Sequence, residues 1–224
     1  MKNKVVILLS ILSILALGFW MYKELTKPLP GQLIEDLGRE HVEDIAGINY
    51  NSNPPTSGTH FPMWAKGGVY DRLISDGYLL HSLEHGYVII SYNCTKPLIT
   101  QSLIPTVLAH DEPTKESSDS GELLKHMKLT VTGNMAAFTP ENQPEVEIEL
   151  PEEFKNEICS GLVEKLKEFP KKWERVIVVP RVDMDKPLAV TAWTRVDTLE
   201  NFDKKRIEKF ISTFHNKGPE KTVE

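Results

Sequence analysis

His81-Ser82-Leu83-Glu84-His85-Gly86-Tyr87-Val88-Ile89-Ile90-Ser91-Tyr92 holds the start of a fold and a candidate for chemistry. Its second half is β-branched and aromatic, bounded by Gly86 and Asn93, and predicts a strand. Its first half puts two imidazoles and a carboxylate within five positions. His81 and His85 share a face on either backbone: four residues are about one helical turn, and they also return to the same side of a strand. Glu84 lacks that indifference. On a helix it stays near both histidines; on a strand it points away. Gly86 and the strand directly behind it disfavour a long helix here.

Downstream, residues 97–109 could form a helix, though Pro105 interrupts it, and 111–121 is a polar loop. Leu129–Thr132 and Val146–Leu150 are strand-like. Pro151, Glu152 and Glu153 open a helix that runs to about Glu168, since proline and acidic residues suit a first turn. Phe154, Ile158, Leu162 and Leu166 recur every four residues and predict its packed face. Arg175–Val179 is near-continuously apolar, as expected of a strand buried on both faces. Leu188–Trp193 is another strand, with a hairpin through Asp183–Pro187 as the simplest link. A last helix over Asp203–Phe214 carries Ile207, Phe210, Ile211 and Phe214 on one stripe. The order strand, helix, strand, strand, helix predicts an α/β (α+β) fold: a small mixed sheet with helices packed on it, compatible with a thioredoxin-like arrangement.

Upstream, Val5–Tyr22 is eighteen residues without a charge. As a helix it would span about 27 Å, near the thickness of a hydrocarbon core. Lys2 and Lys4 precede it and favour a cytoplasmic N-terminus. A secretory signal cleaved after Ala16-Leu17-Gly18 is the competing reading, but the apolar run continues through Tyr22. The sequence therefore predicts a signal anchor or transmembrane helix over 1–23 and a juxtamembrane linker over 24–46, broken by Pro28 and Pro30. A single globular domain over 47–220 follows, with an insertion at about 100–150. The expected location is the cell membrane, single-pass, with the C-terminal domain extracytoplasmic and the membrane as partner.

The 224 residues carry a net charge of -6, with 40% apolar and 26% charged residues. That is the composition of a folded protein, and no basic stripe suggests nucleic acid. Two cysteines, Cys94 and Cys159, lack the C-x-x-C spacing of a thiol oxidoreductase. Outside the cytoplasm a disulfide is the expected state, with a pair of thiolate ligands as the alternative. Asn93-Cys94-Thr95 also matches a glycosylation sequon, a triplet common by chance.

Several stretches together resemble a bacterial family. They are Tyr50-Asn51-Ser52-Asn53-Pro54-Pro55-Thr56-Ser57-Gly58, His60, Gly68-Val69-Tyr70, His81–Gly86, Thr191-Ala192-Trp193 and Gly218-Pro219-Glu220. The chain resembles the domain-of-unknown-function family 3105, whose members are membrane-anchored envelope proteins. The resemblance covers nearly all of 47–220 and implies an extent and a location. It brings no activity, so function rests on the chemistry of the residues.

His60, His81 and His85 suit zinc or copper as neutral imidazole ligands, and Met63, three residues after His60, would add a soft donor that favours copper. Glu84 or Asp71 would accept an imidazole N–H behind the metal. A non-catalytic envelope interaction domain is the alternative, with the histidines pinning the Asn/Pro/Ser/Gly loop to the sheet. A second alternative is a zinc metallopeptidase, because His-x-x-Glu-His is the inverted zinc-peptidase motif. That motif needs a helix and a further carboxylate ligand from elsewhere. Whether the protein is an enzyme stays open at this point.

Overall fold

The computed structural model describes residues 2–98, 136–144 and 149–221, without the side chains of 2–10 and Glu24. The expected strand at 129–132, residues 99–109 of the expected helix at 97–109 and residues 146–148 of the expected strand at 146–150 lie outside the described residues. The chain divides into two compact units, Met1–Pro30 and Gly31–Glu224.

The first unit is built on helix α1, Lys2–Leu25. Its large apolar side chains from Ile11 to Leu25 are exposed. Among the described residues no helix is long and apolar enough to cross a membrane. The expected spanning helix therefore finds no support in the described residues.

The second unit is a mixed sheet with helices. Its elements are β1 (Gln32–Leu33), β2 (Trp64–Ala65), β3 (Gly68–Val69), α2 (Asp76–Glu84), β4 (Val88–Tyr92) and β5 (Ala137–Phe138). Then come α3 (Glu157–Leu166), α4 (Glu168–Lys172), β6 (Val176–Pro180), β7 (Leu188–Ala192), β8 (Arg195–Leu199) and α5 (Lys204–Phe214). Six strands run in the order β1-β8-β7-β4-β6-β3, and β2 pairs with β5 apart from them. β4 is parallel to β6 and antiparallel to β7.

Successive residues of β4 point to opposite faces. Val88, Ile90 and Tyr92 enter a cluster with Leu162, Leu166, Phe169 and Phe210 from α3, α4 and α5. Ile89 enters a second cluster with Phe61, Tyr78, Leu80 and Leu83. Apolar layers on both faces are why β4, β6 and β7 are fully buried and read as apolar runs.

Three expectations are corrected. His81–Glu84 is helical: α2 starts at Ser75, whose side chain accepts from the Gly77 N–H. It stops because Gly86, at φ +80°, takes the left-handed conformation and donates to the Leu83 carbonyl. The glycine ends a short helix rather than forbidding one. Second, β6 and β7 are not a hairpin, because β4 lies between them. Their link crosses the end of β4, where the buried Asn93 side chain donates to the Val182 and Met184 carbonyls. That commitment also removes the sequon amide from solvent. The hairpin partner of β7 is β8, joined through Trp193-Thr194, with Thr194 at φ 58°.

Third, the helix expected from Pro151 is a 3₁₀ turn, Glu152–Lys155, followed by a fresh start. Asn156 caps α3 by accepting from the Cys159 N–H at 2.7 Å. The restart shifts the register, so Cys159, Leu162 and Leu166 are buried while Ile158 is 72% exposed. Cys159 thereby faces Cys94 across the core cluster, and the two form a disulfide.

Candidate metal centre

The site forms where α2 meets two segments lying beside each other. His41 and His60 form a parallel β-bridge, with the Val42 N–H donating to the His60 carbonyl at 2.8 Å. The His60 N–H donates to the Glu40 carbonyl at 2.9 Å and the Gly58 N–H to the Gly38 carbonyl at 2.9 Å. The loop carrying His60 is also held from below. Arg181, buried beneath it, donates to Asp76 at the start of α2, to Asp183 and to the Asn53 side-chain oxygen. One guanidinium thus fixes the loop and the helix relative to each other.

Within this frame the imidazoles of His60, His41 and His81 surround Glu84, and His85 lies against His81. His60 Nδ1 donates to the Gly58 carbonyl at 2.8 Å, and its Nε2 meets Glu84 Oε2 at 2.9 Å. A carbonyl and a carboxylate both accept, so a proton lies between Nε2 and Oε2. His81 Nδ1 donates to the Phe61 carbonyl at 2.6 Å, and its Nε2 lies 3.1 Å from His85 Nε2. His41 Nε2 is 3.5 Å from Glu84 Oε2, and Arg39 Nη1 is 3.4 Å from Oε1. His41 stacks on His81 with ring centroids 4.8 Å apart, and the Trp64 ring packs against His85 at 4.6 Å.

Burial pushes His81 down to about 4, with the neighbouring His85, His60 and His41 adding to the fall and the Phe61 hydrogen bond opposing it. This ring is therefore neutral near pH 7, as a metal ligand must be. Burial alone would raise Glu84, but the His60 hydrogen bond and the surrounding imidazoles outweigh it and hold the carboxyl below its ordinary value.

The sequence-predicted residues fall as follows. His60 and His85 each lie against His81, with ring centroids 5.1 and 4.6 Å from it, and Glu84 is bonded to His60. Met63 is buried among the apolar side chains of the second cluster. Asp71 is exposed, with Gln143 and Arg72 as its recorded partners. Ser82 is committed to the Ala65 backbone.

His41 was not anticipated. It is a lone histidine in a charged stretch, Arg39-Glu40-His41-Val42-Glu43-Asp44, and no spacing marks it. Only its bridge to His60 reveals it. One nitrogen from each of His41, His60 and His81 lies within 4.8 Å of the others, close enough for these three to hold a metal ion. His60 and His81 are buried and His41 is 44% exposed, so solvent reaches the group from the His41 side.

No curated protein and no solved structure matches the chain. A family model matches residues 41–114 and 153–224, leaving 115–152 between the two segments; the histidine cluster and every strand of the six-stranded sheet except β1 lie within the matched parts. The chain belongs to the family described as protein of unknown function, DUF3105.

Proposed function

We propose that this protein binds a metal ion, zinc or copper, through the imidazoles of His60, His81 and His85 with His41, in a domain held at the outer face of a membrane. One observation carries the metal reading. His60 and His81 each commit Nδ1 to a backbone carbonyl, which turns Nε2 of His81 toward His85 and Nε2 of His60 toward Glu84, where an incoming ion would displace the shared proton. Metal-ligating histidines characteristically anchor their second nitrogen in this way. The 3.1 Å between the Nε2 atoms of His81 and His85 is close to the roughly 3.3 Å between two ligands on one tetrahedral ion. With Met63 in apolar packing, the inward donors are imidazole nitrogens, which suit zinc and Cu(II) better than a soft Cu(I) ion.

The outer location draws on three supports: the uncharged run Val5–Tyr22, the exposed apolar side chains of α1, and the Cys94–Cys159 disulfide. Exposed apolar side chains along a helix need a cover, and a lipid bilayer supplies one. A structural disulfide belongs in an oxidising compartment. Any thioredoxin-like character of the sheet would carry no thiol chemistry, since both cysteines are joined to each other.

The peptidase alternative gains the helix it needs, but Glu84 is buried and bonded to His60 rather than free to act as a base. The interaction-domain alternative treats the same histidines as loop fasteners. Metal analysis of the full chain, purified in mild detergent without chelators, separates the readings. The proposal expects about one ion per chain, lost in the His81→Ala, His85→Ala double variant. Failure of the full chain to bind zinc or Cu(II) more tightly than about 1 μM would defeat it.

A further inference from the structure

The C-terminal strap, residues 216–221, lies against the end of α2. The Asn216 N–H donates to the Gly86 carbonyl at 2.8 Å, and the Glu220 N–H to the Glu84 carbonyl at 3.1 Å. The approach is too close for side chains. A Cβ on Gly218 would stand 2.0 Å from the Glu84 carbonyl oxygen and 2.3 Å from the Gly86 nitrogen. A Cβ on Gly86 would stand 2.8 Å from the Gly218 nitrogen. Two glycines thus seat the strap backbone to backbone on the motif that carries His81 and His85.

This seat delivers a carboxylate. Glu220 Oε2 is 3.9 Å from His85 Nε2, which in turn is 3.1 Å from His81 Nε2. Ligand atoms on one tetrahedral zinc ion stand about 3.3 Å apart. Glu220 has to close by roughly half an ångström, and its side chain, 43% exposed, has room to do so. The imidazoles are held: Phe61 fixes His81, and Arg175 fixes the His85 backbone by donating to its carbonyl at 2.8 Å.

We propose that Glu220 is a metal ligand, adding a carboxylate to the imidazole site on the side of His81 and His85, for a divalent ion of the zinc class. This rests on the metal-binding reading above and extends it: the ion ties the C-terminal strap to α2. A hard carboxylate oxygen beside two imidazoles selects a borderline divalent ion over Cu(I). The strap also becomes the element that loading fastens.

The test compares the full chain with Glu220→Gln, using zinc alone as the probe. The substitution removes only a charge from a half-exposed side chain, so the fold is retained. Zinc affinity is measured by competition with a chromogenic chelator, and hydrogen exchange is followed at the Glu220 amide. The expected result is an affinity about tenfold or more weaker in Glu220→Gln. Zinc is also expected to slow exchange of that amide in the natural chain only. Equal affinities with no zinc-dependent protection of the strap overturn Glu220 as a ligand and leave the imidazole site standing. A natural chain that takes up no zinc overturns both.

Discussion

Replacing Glu84 by alanine and by glutamine should give very different proteins. The carboxylate is 3% exposed and its main partner, His60, is fully buried. Alanine leaves His60 Nε2 with its proton and no acceptor, beside the Arg39 and His41 side chains that also lose the carboxylate. Removing one partner of a buried pair costs about 3–5 kcal/mol, because the other is left uncompensated. In a domain of this size that is a fall in Tm of roughly 6–20 °C. Glutamine is milder for a specific reason. His60 can shed its Nε2 proton, keep Nδ1 donating to Gly58, and accept from the new amide, so both groups stay paired. The expected cost is about 1–2 kcal/mol. Chemical denaturation of both variants in metal-free buffer reads the difference through the midpoint, with the slope as a check on two-state behaviour. A loss below about 1 kcal/mol in Glu84→Ala, or equal losses in the two variants, would refute the shared proton between His60 and Glu84.

The remaining expectations follow from the same structure. In the metal-free protein His81 stays neutral down to about 4, while the unfolded ring takes up a proton near 6.5, so stability is full above 6.5 and falls as pH drops toward 4. The fall is about 3 kcal/mol, and Glu84, held below its ordinary value, adds a further loss once pH drops through the carboxylate range. Denaturation midpoints at stepwise pH should trace it, and a flat profile between pH 7 and 4.5 would contradict it. Reducing Cys94–Cys159, which closes a loop of 65-residue separation, should cost about 4 kcal/mol; mass spectrometry before and after reduction checks the bond, and free thiols in the untreated chain would disprove it. Asp76→Ala should destabilise by about 3–5 kcal/mol, because it strips the buried Arg181 of a two-pronged partner; a change within 1 kcal/mol would show that Arg181 does not lock the loop to α2.

Much of the sheet could be read from the chain because apolar runs are a local signal. β4, β6 and β7 are buried on both faces, and their sequences show it. β8 escaped because Arg195-Val196-Asp197-Thr198-Leu199 has only two apolar residues and is separated from β7 by Trp193 and Thr194 alone. α2 escaped for the opposite reason: it is buried all round, so no polar face gives it a helical period. Strand order is not local either. Nothing in the link Arg181–Pro187 says that it passes over β4 instead of turning back as a hairpin.

The site was legible to the same extent. His81 and His85 meet because four-residue spacing survives any backbone. His60 was marked by its loop, and Glu84 by its place between the pair. His41 depends on a β-bridge to the His60 loop, and Glu220 on the strap docking at the end of α2 through Gly86 and Gly218. No spacing encodes either contact.

The central claim is that the imidazole cluster at α2 holds a metal ion. X-ray absorption on the zinc-loaded full chain tests it most directly. The account predicts a first shell of nitrogen and oxygen at about 2.0–2.1 Å, with the imidazole scattering pattern and no sulfur. A spectrum of hexahydrated zinc, or of zinc on sulfur, would contradict it.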